Sequence, residues 1–265
     1  MCQLLGMNCA QKTDFCFSFS GFRLRGGQCD KHSDGWGLSI YEGRGLRTFI
    51  DTLPAAESPL AEMVSKLPIK TLNMMGHIRY ATQGHKGDLA NVHPFQRELW
   101  GVQFCFCHNG DVEKFSSSLD LSEHPMLGMT TEEDRIFNPV GDTDSESLFC
   151  AILNALRKEY DSPPTIPELY TTVQKLCGEV MAGEEDTAIL NFLLGEFNTW
   201  QWHVYVRSVF CTIFVVSHLC ATFLSQKGAG NTHYWHTPGQ VHAQVLTYGT
   251  GCTTQFDNHH SSRRN

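Results

Sequence analysis

Six apolar runs of five to eight residues, Cys2–Met7, Trp36–Tyr41, Leu46–Ile50, Leu72–Arg79, Val102–Cys107 and Ala188–Leu194, are bounded by turn formers in the first 196 residues. Runs of that length are too short for buried helices and predict strands. Helical spacing occupies Pro59–Leu67, Asp144–Lys158 and Ile166–Met181. In the second of these, Leu148, Ala151, Ile152 and Ala155 recur at i, i+3, i+4 and i+7, and Thr143-Asp144 sits at the start where a cap belongs. Strands interleaved with helices predict a layered, mixed α and β architecture. Ser122–Val140, with Pro, Gly and acidic residues and no period, reads as a surface excursion. No internal repeat is present.

Charge divides the chain of 265 residues in two. Residues 1–196 carry 27 of the 28 acidic and 16 of the 20 basic side chains, whereas the last 69 residues hold one acid, four bases and seven of the thirteen histidines. The chain therefore reads as a body, 1–196, and a divergent low-charge tail, 197–265. The abrupt change suggests a frameshift, a mis-spliced end or a diverged segment, and the polar stretch from Gly228 onward is expected to be poorly ordered. The uncharged run Ser208–Leu224 spans 17 residues. It falls short of the ~20 apolar residues a membrane helix needs and suits buried strands as well, so a membrane partner is not expected. The net charge of −8 argues against nucleic acid.

The eleven cysteines are odd in number and irregularly spaced, so no disulfide framework reads out, and Cys105-x-Cys107 is too tight for a zinc pair. No metal site is expected. The opening Met1–Met7 lacks the basic and long apolar regions of a signal peptide, which points to the cytoplasm and reduced thiols.

Chemistry begins at Cys2. Removal of Met1 would leave a thiol and a free α-amine on one residue, a nucleophile with its own base. The amine titrates near ~7.7–8.0 and the thiol near ~8.5, so the proton can pass between them at neutral pH. Other segments fit the needs of acyl transfer, and each has a plainer reading beside the chemical one. Asn109 and Gly110, following an apolar run, can donate two hydrogen bonds to an oxyanion, or form a hairpin turn. Arg79 can hold a carboxylate, or make a surface salt bridge. Asp144 can hold an ammonium, or cap a helix. An arginine for a carboxylate and an aspartate for an ammonium are what a free amino acid requires.

Cys2, Arg25-Gly26-Gly27, Asp34-Gly35-Trp36-Gly37, Gly76-His77-Ile78-Arg79, Val92-His93-Pro94-Phe95, His108-Asn109-Gly110 and Asp142-Thr143-Asp144-Ser145-Glu146, in this order, resemble the class II glutamine amidotransferases, which are N-terminal nucleophile hydrolases. The opening CQLLGMN and the phrase HPFQRELWG resemble stand-alone members without a fused synthase domain. The resemblance covers about residues 1–195. It implies an α+β fold, a four-layer αββα sandwich whose N-terminal strand places Cys2 at the edge of the sheet sandwich. It further implies Cys2 as nucleophile, Asn109 and Gly110 as oxyanion hole, Arg79 and Asp144 as clamps for the substrate carboxylate and ammonium, and Thr82, His93 and Arg25 around the pocket. No cofactor is called for.

The expected substrate is glutamine or another γ-glutamyl small molecule, with a separate acceptor or synthase subunit as partner. Two alternatives stand beside the glutaminase: a γ-glutamyl amidase acting on glutathione-related peptides with a partner subunit, and a catalytically silent module. From about Phe197 the chain departs from the family pattern, which leaves the second sheet expected to lack strands.

Overall fold

The computed structural model describes residues 2–81, 86–112, 135–182 and 189–196, together with the backbone of 202–207, 211–216 and 221–223. The tail beyond Phe223 and most of the 122–140 excursion lie outside the described residues. In chain order the elements are β1 (Gln3–Asp14), α1 (Cys16–Arg23), β2 (Trp36–Glu42), β3 (Gly45–Asp51), α2 (Pro59–Val64), β4 (Lys70–Ile78), β5 (Phe95–Leu99), β6 (Val102–Asp111), α3 (Asp144–Glu159), α4 (Ile166–Met181), β7 (Ile189–Glu196), β8 (Trp202–Arg207), β9 (Cys211–Val216) and β10 (Ala221–Phe223).

Two antiparallel sheets, ordered β10-β1-β4-β2-β3 and β5-β6-β7-β8-β9, stack between helices. Strand periodicity sorts the side chains into layers. On the first sheet, Leu5, Met7, Trp36, Leu38, Ile40, Met74 and Ile78 face outward and pack with Phe15, Phe19 and Phe22 of the α1 segment and with Ala61 and Val64 of α2. On the second, Phe104, Phe106, Leu190, Phe192 and Leu194 pack against the apolar faces of α3 and α4. Between the sheets lie Leu4, Tyr41, Met75, Cys105, Cys107 and Leu193. This is the αββα sandwich that the resemblance implied.

All six predicted strands and all three predicted helices are present, with shifted ends. The expectation that the second sheet lacks strands is overturned: the stretch after residue 196 supplies three, β8 and β9 extending that sheet to five and β10 pairing with Gly6–Asn8 of β1. No helix among the described residues is long and apolar enough to cross a membrane.

Besides the strands after residue 196, two elements were not legible in the sequence. In α1 the alternation Phe15-x-Phe17-x-Phe19 imitates a strand, yet Phe15, Phe19 and Phe22 are the buried set while Phe17 is 66% exposed. In β5 the side chains sharing one face are Phe95, Arg97 and Leu99, so an inward-facing arginine hides the period. Arg97 is held there by the buried carboxylate of Glu146 on α3, Nη2 to Oε1 2.5 Å. Glu146 Oε2 also accepts the Gly141 N–H at 2.7 Å. The start of α3 is thereby fastened to the second sheet.

Gly37 of β2 pairs with His77 of β4. A Cβ at Gly37 would lie 2.2 Å from the His93 carbonyl oxygen and 2.8 Å from Pro94 Cδ. Only a glycine lets the 93–94 segment lie across β2, which brings the His93 ring over His77. Gly37→Ala is therefore expected to lower stability by about 2–3 kcal/mol. Gly178→Ala, in α4 with nothing within 4 Å of the added carbon, is expected to raise it by about 0.5–1 kcal/mol. Urea unfolding of the two variants beside the parent checks both signs.

Candidate active site

β1 begins opposite the end of β4, with Gln3 paired to Ile78, so Cys2 lies beside the residues that follow β4. The Tyr80 N–H donates to Cys2 Sγ at 3.4 Å, and the thiol donates to the Tyr80 carbonyl at 3.6 Å. Burial pushes the Cys2 thiol above its ordinary range. The Tyr80 hydrogen bond and the positive charge of Arg79 pull it down, and the negative charge of Asp144 adds to the rise. A thiol in that state is protonated at neutral pH, and both of these hydrogen-bond partners are main-chain groups. Any nucleophilic use of it requires a base close by.

His108, Asn109 and Gly110 are part of β6, paired to β7 through Asp111↔Ile189, so the Asn-Gly dipeptide does not form a hairpin turn. Alternation along β6 sends Cys105, Cys107 and Asn109 toward the first sheet and Phe106 and His108 toward α3. Asn109 is fully buried. Its carbonyl accepts a hydrogen bond from Asn191 Nδ2 of β7 at 3.0 Å. The preceding carbonyl, that of His108, lies 3.1 Å from His77 Nε2 of β4. A carbonyl can only accept, so His77 carries its proton on Nε2.

Asp144 is the first residue of α3. Thr143 is the N-cap, its hydroxyl accepting from the Glu146 N–H at 3.2 Å. The Asp144 carboxylate accepts from the Val112 N–H at 3.0 Å and the Ser145 N–H at 2.7 Å. Ser145 Oγ donates to Asp144 Oδ1 at 3.2 Å and in turn lies 2.9 Å from His108 Nδ1. Since the serine proton goes to the carboxylate, the imidazole donates from Nδ1. Asp144 is thus buried and oriented by main-chain donors rather than solvated at a helix end.

Arg79 is 2% exposed, which removes the surface salt bridge as its role. Its main chain continues the β2–β4 ladder, N–H to the Gly35 carbonyl at 2.8 Å and carbonyl to the Asp34 N–H at 3.2 Å. His93 is buried and stacked on His77, ring centroids 4.0 Å apart, with Phe95 on it at 4.3 Å. Both His93 ring nitrogens lack a hydrogen-bond partner among the described residues. Burial lowers both histidines, His77 to about 3 and His93 well below the usual imidazole range, and the neighbouring imidazoles and the Arg79 cation lower them further.

Cys2, Arg79, His93, Asn109, Gly110 and Asp144 are therefore gathered at one end of the inter-sheet layer. Arg25 joins from outside it: Nη1 donates to Gln3 Oε1 at 3.3 Å, which braces the residue after Cys2. Thr82 lies outside the described residues. Sequence reasoning did not single out Asn191, although an asparagine inside the apolar run 188–194 was the available signal. Ser145 and His77 stood inside quoted motifs without a role. Among the described residues no group of three or more His, Cys, Asp or Glu converges as a metal site.

A two-sheet sandwich with outer helices and a cysteine at the head of an inner strand has the form of the N-terminal nucleophile enzymes. The family model for the class II glutamine amidotransferases matches residues 1–210, and the chain belongs to that family. A Haemophilus influenzae relative is 41% identical over 194 residues, 73% of this chain and 60% of its own length. One from Escherichia coli K12 is 39% identical over 197 residues, 74% of this chain and 70% of its own. Both bear glutamine amidotransferase as a provisional name, and the match spans only 60% and 70% of their lengths. A Pseudomonas aeruginosa crystal structure with the same provisional assignment superposes with TM-score 0.52 at 30% identity, covering 78% of this chain and 73% of that one. An allosteric regulatory enzyme of purine biosynthesis, 17% identical with TM-score 0.53, shares the fold over 77% of this chain and 37% of its own.

The buried histidines carry a pH signature. His77 titrates near 6.5 when unfolded and near about 3 when folded, so below pH 6.5 the unfolded chain binds the proton that the folded one refuses. Stability is full above pH 6.5 and declines as the pH falls toward 3. His77→Gln, which keeps an amide donor for the His108 carbonyl, is expected to flatten part of that decline. Urea midpoints of parent and variant at pH 7, 6, 5 and 4 compare the slopes, and parallel curves would reject the assignment.

Proposed function

We propose that the protein hydrolyses the side-chain amide of glutamine through Cys2 after removal of Met1. The observation carrying this reading is that the Cys2 thiol, the Asn109-Gly110 pair, a buried Arg79 and a buried Asp144 lie near one another, with both Arg79 and Asp144 acting on the thiol. Arg79 binds the substrate α-carboxylate and Asp144 its α-ammonium, which leaves the amide carbon in reach of Cys2. The α-amine of Cys2 takes the thiol proton, and Sγ bonds to the amide carbon while the carbonyl π electrons move to oxygen. Asn109 Nδ2 and the Gly110 N–H hold that oxyanion. The amine then gives its proton to the leaving nitrogen, the C–N bond breaks and ammonia departs. Water, deprotonated by the same amine, attacks the thioester and releases glutamate with the thiol restored.

The raised thiol supports a base on the same residue, because no side-chain base hydrogen-bonds Cys2 among the described residues. His93 supports a wall facing ligand: its two buried ring nitrogens have no partner among the described residues, a cost that a bound substrate can recover. Arg25 and Thr82 belong to the same reading, as brace and rim. Ammonia released here is available to an acceptor on a separate chain.

Intact mass combined with labelling by 6-diazo-5-oxo-norleucine tests the reading. The expected result is loss of Met1 and one adduct, mapped to Cys2 and absent in Cys2→Ala. A retained Met1, or no adduct on folded protein, overturns it. Among active-site variants, Asn109→Ala is expected to lower kcat by about 10²–10³-fold with little change in KM. Arg79→Lys and Asp144→Asn are expected to act mainly by raising KM for glutamine, which steady-state ammonia release separates.

A further inference from the structure

We infer that Asn191 is a positioning residue for the oxyanion hole, acting through the peptide plane that carries the Gly110 N–H; the inference rests on the amidase reading above. Asn191 is a buried amide in the run Ile189–Leu194, whose other side chains are apolar apart from itself, and it lies directly across from Asn109 in the β6–β7 pairing. Its Nδ2 donates to the Asn109 carbonyl at 3.0 Å. That carbonyl and the Gly110 N–H belong to one planar, trans peptide group and point to opposite edges of β6. A donor reaching the carbonyl from β7 therefore fixes the Gly110 N–H toward the other edge. On that edge β5 pairs with β6 only as far as Phe106, so it does not cover Gly110.

Two consequences follow from the same hydrogen bond. The plane cannot rock about the strand axis without breaking it, which holds the N–H where negative charge would develop. A hydrogen bond to the carbonyl also polarises the amide and makes its N–H a stronger donor. The preceding plane is gripped in the same manner from the opposite sheet, by His77 Nε2 on the His108 carbonyl at 3.1 Å. Asn109 is thus clamped on both sides, by β4 through one carbonyl and by β7 through the next. A purely structural role would not need the amide: a leucine matches its size, and the neighbours Leu190, Phe192 and Leu193 already fill their layers.

The experiment compares Asn191→Ala, which removes the donor, Asn191→Leu, which removes it while keeping the volume, and Asn109→Ala in the full chain. For each, glutamine kcat and KM, the rate of Cys2 alkylation by iodoacetamide and the melting temperature are measured. Alkylation consumes the thiol without forming an oxyanion, so it reports the nucleophile alone. The expected result is a kcat lower by about 10–100-fold in both Asn191 variants, with KM and the alkylation rate within twofold of the parent. If Asn191→Leu does not fold, Asn191→Ala carries the comparison. Unchanged kcat in a folded Asn191 variant, or alkylation and KM failing together with kcat, overturns the positioning role. Full kcat in Asn109→Ala instead overturns the oxyanion reading on which it rests.

Discussion

Everything at the candidate site depends on how closely two sheets can press face to face. The layer between them is built from Leu4, Met75, Leu193 and the small thiols Cys105 and Cys107, and Gly6 turns a bare backbone toward Leu193, 3.2 Å from where a Cβ would stand. β6 is tied to the first sheet near both ends by side-chain donors on its carbonyls, Tyr41 Oη on Gln103 at 3.2 Å and His77 Nε2 on His108 at 3.1 Å. Between those ties the layer is mostly apolar, and a polar group in it must find a partner or remain a cost, as Ser39 does with the Thr48 hydroxyl at 2.7 Å. That condition selects for groups that are oriented before any ligand arrives.

Histidine suits the tie at the site end for an electrostatic reason. A lysine or arginine there would bring a second cation beside Arg79, and an amide side chain is shorter. A neutral imidazole supplies an N–H donor over a longer reach without charge, and burial keeps it neutral, with its titration moved to about 3. Arg79 and Asp144 then remain as charges of opposite sign acting on Cys2, one lowering and one raising the thiol. Burial is the largest influence on the thiol and outweighs the Tyr80 hydrogen bond and the positive charges of the N-terminus and Arg79, so the thiol stays protonated. An amine on the same residue answers that need more directly than a distant imidazole, since it requires no additional side chain to be ordered.

Much of the architecture was legible because periodicity reports which faces are buried. The strand runs of β2, β4, β6 and β7 and the helical spacing of α3 carried through. What was hidden has a common physical cause, which is a residue whose partner is distant in sequence. Arg97 breaks the apolar face of β5 because Glu146, forty-nine positions away, neutralises it. The Phe alternation at α1 imitates a strand because only the fold decides that Phe17 is the one left outside. At the site, Cys2, Asn109, Arg79 and Asp144 could be proposed from motifs, since each chemistry restricts the residue type. Asn191 could not, because its role is defined by the carbonyl of a residue eighty-two positions earlier.

The plainer readings of the motifs fail for related reasons. An Asn-Gly pair usually marks a turn because glycine and asparagine tolerate positive φ. Here the pair lies in an extended strand, so its residue types are left to be explained by something other than backbone curvature. The Asn109 side chain, on the inter-sheet face, lies in the same layer as Cys105 and Cys107. The plainer readings of Arg79 and Asp144 fail in the same way: both side chains are buried, so neither a surface salt bridge nor a solvated cap accounts for the residue type.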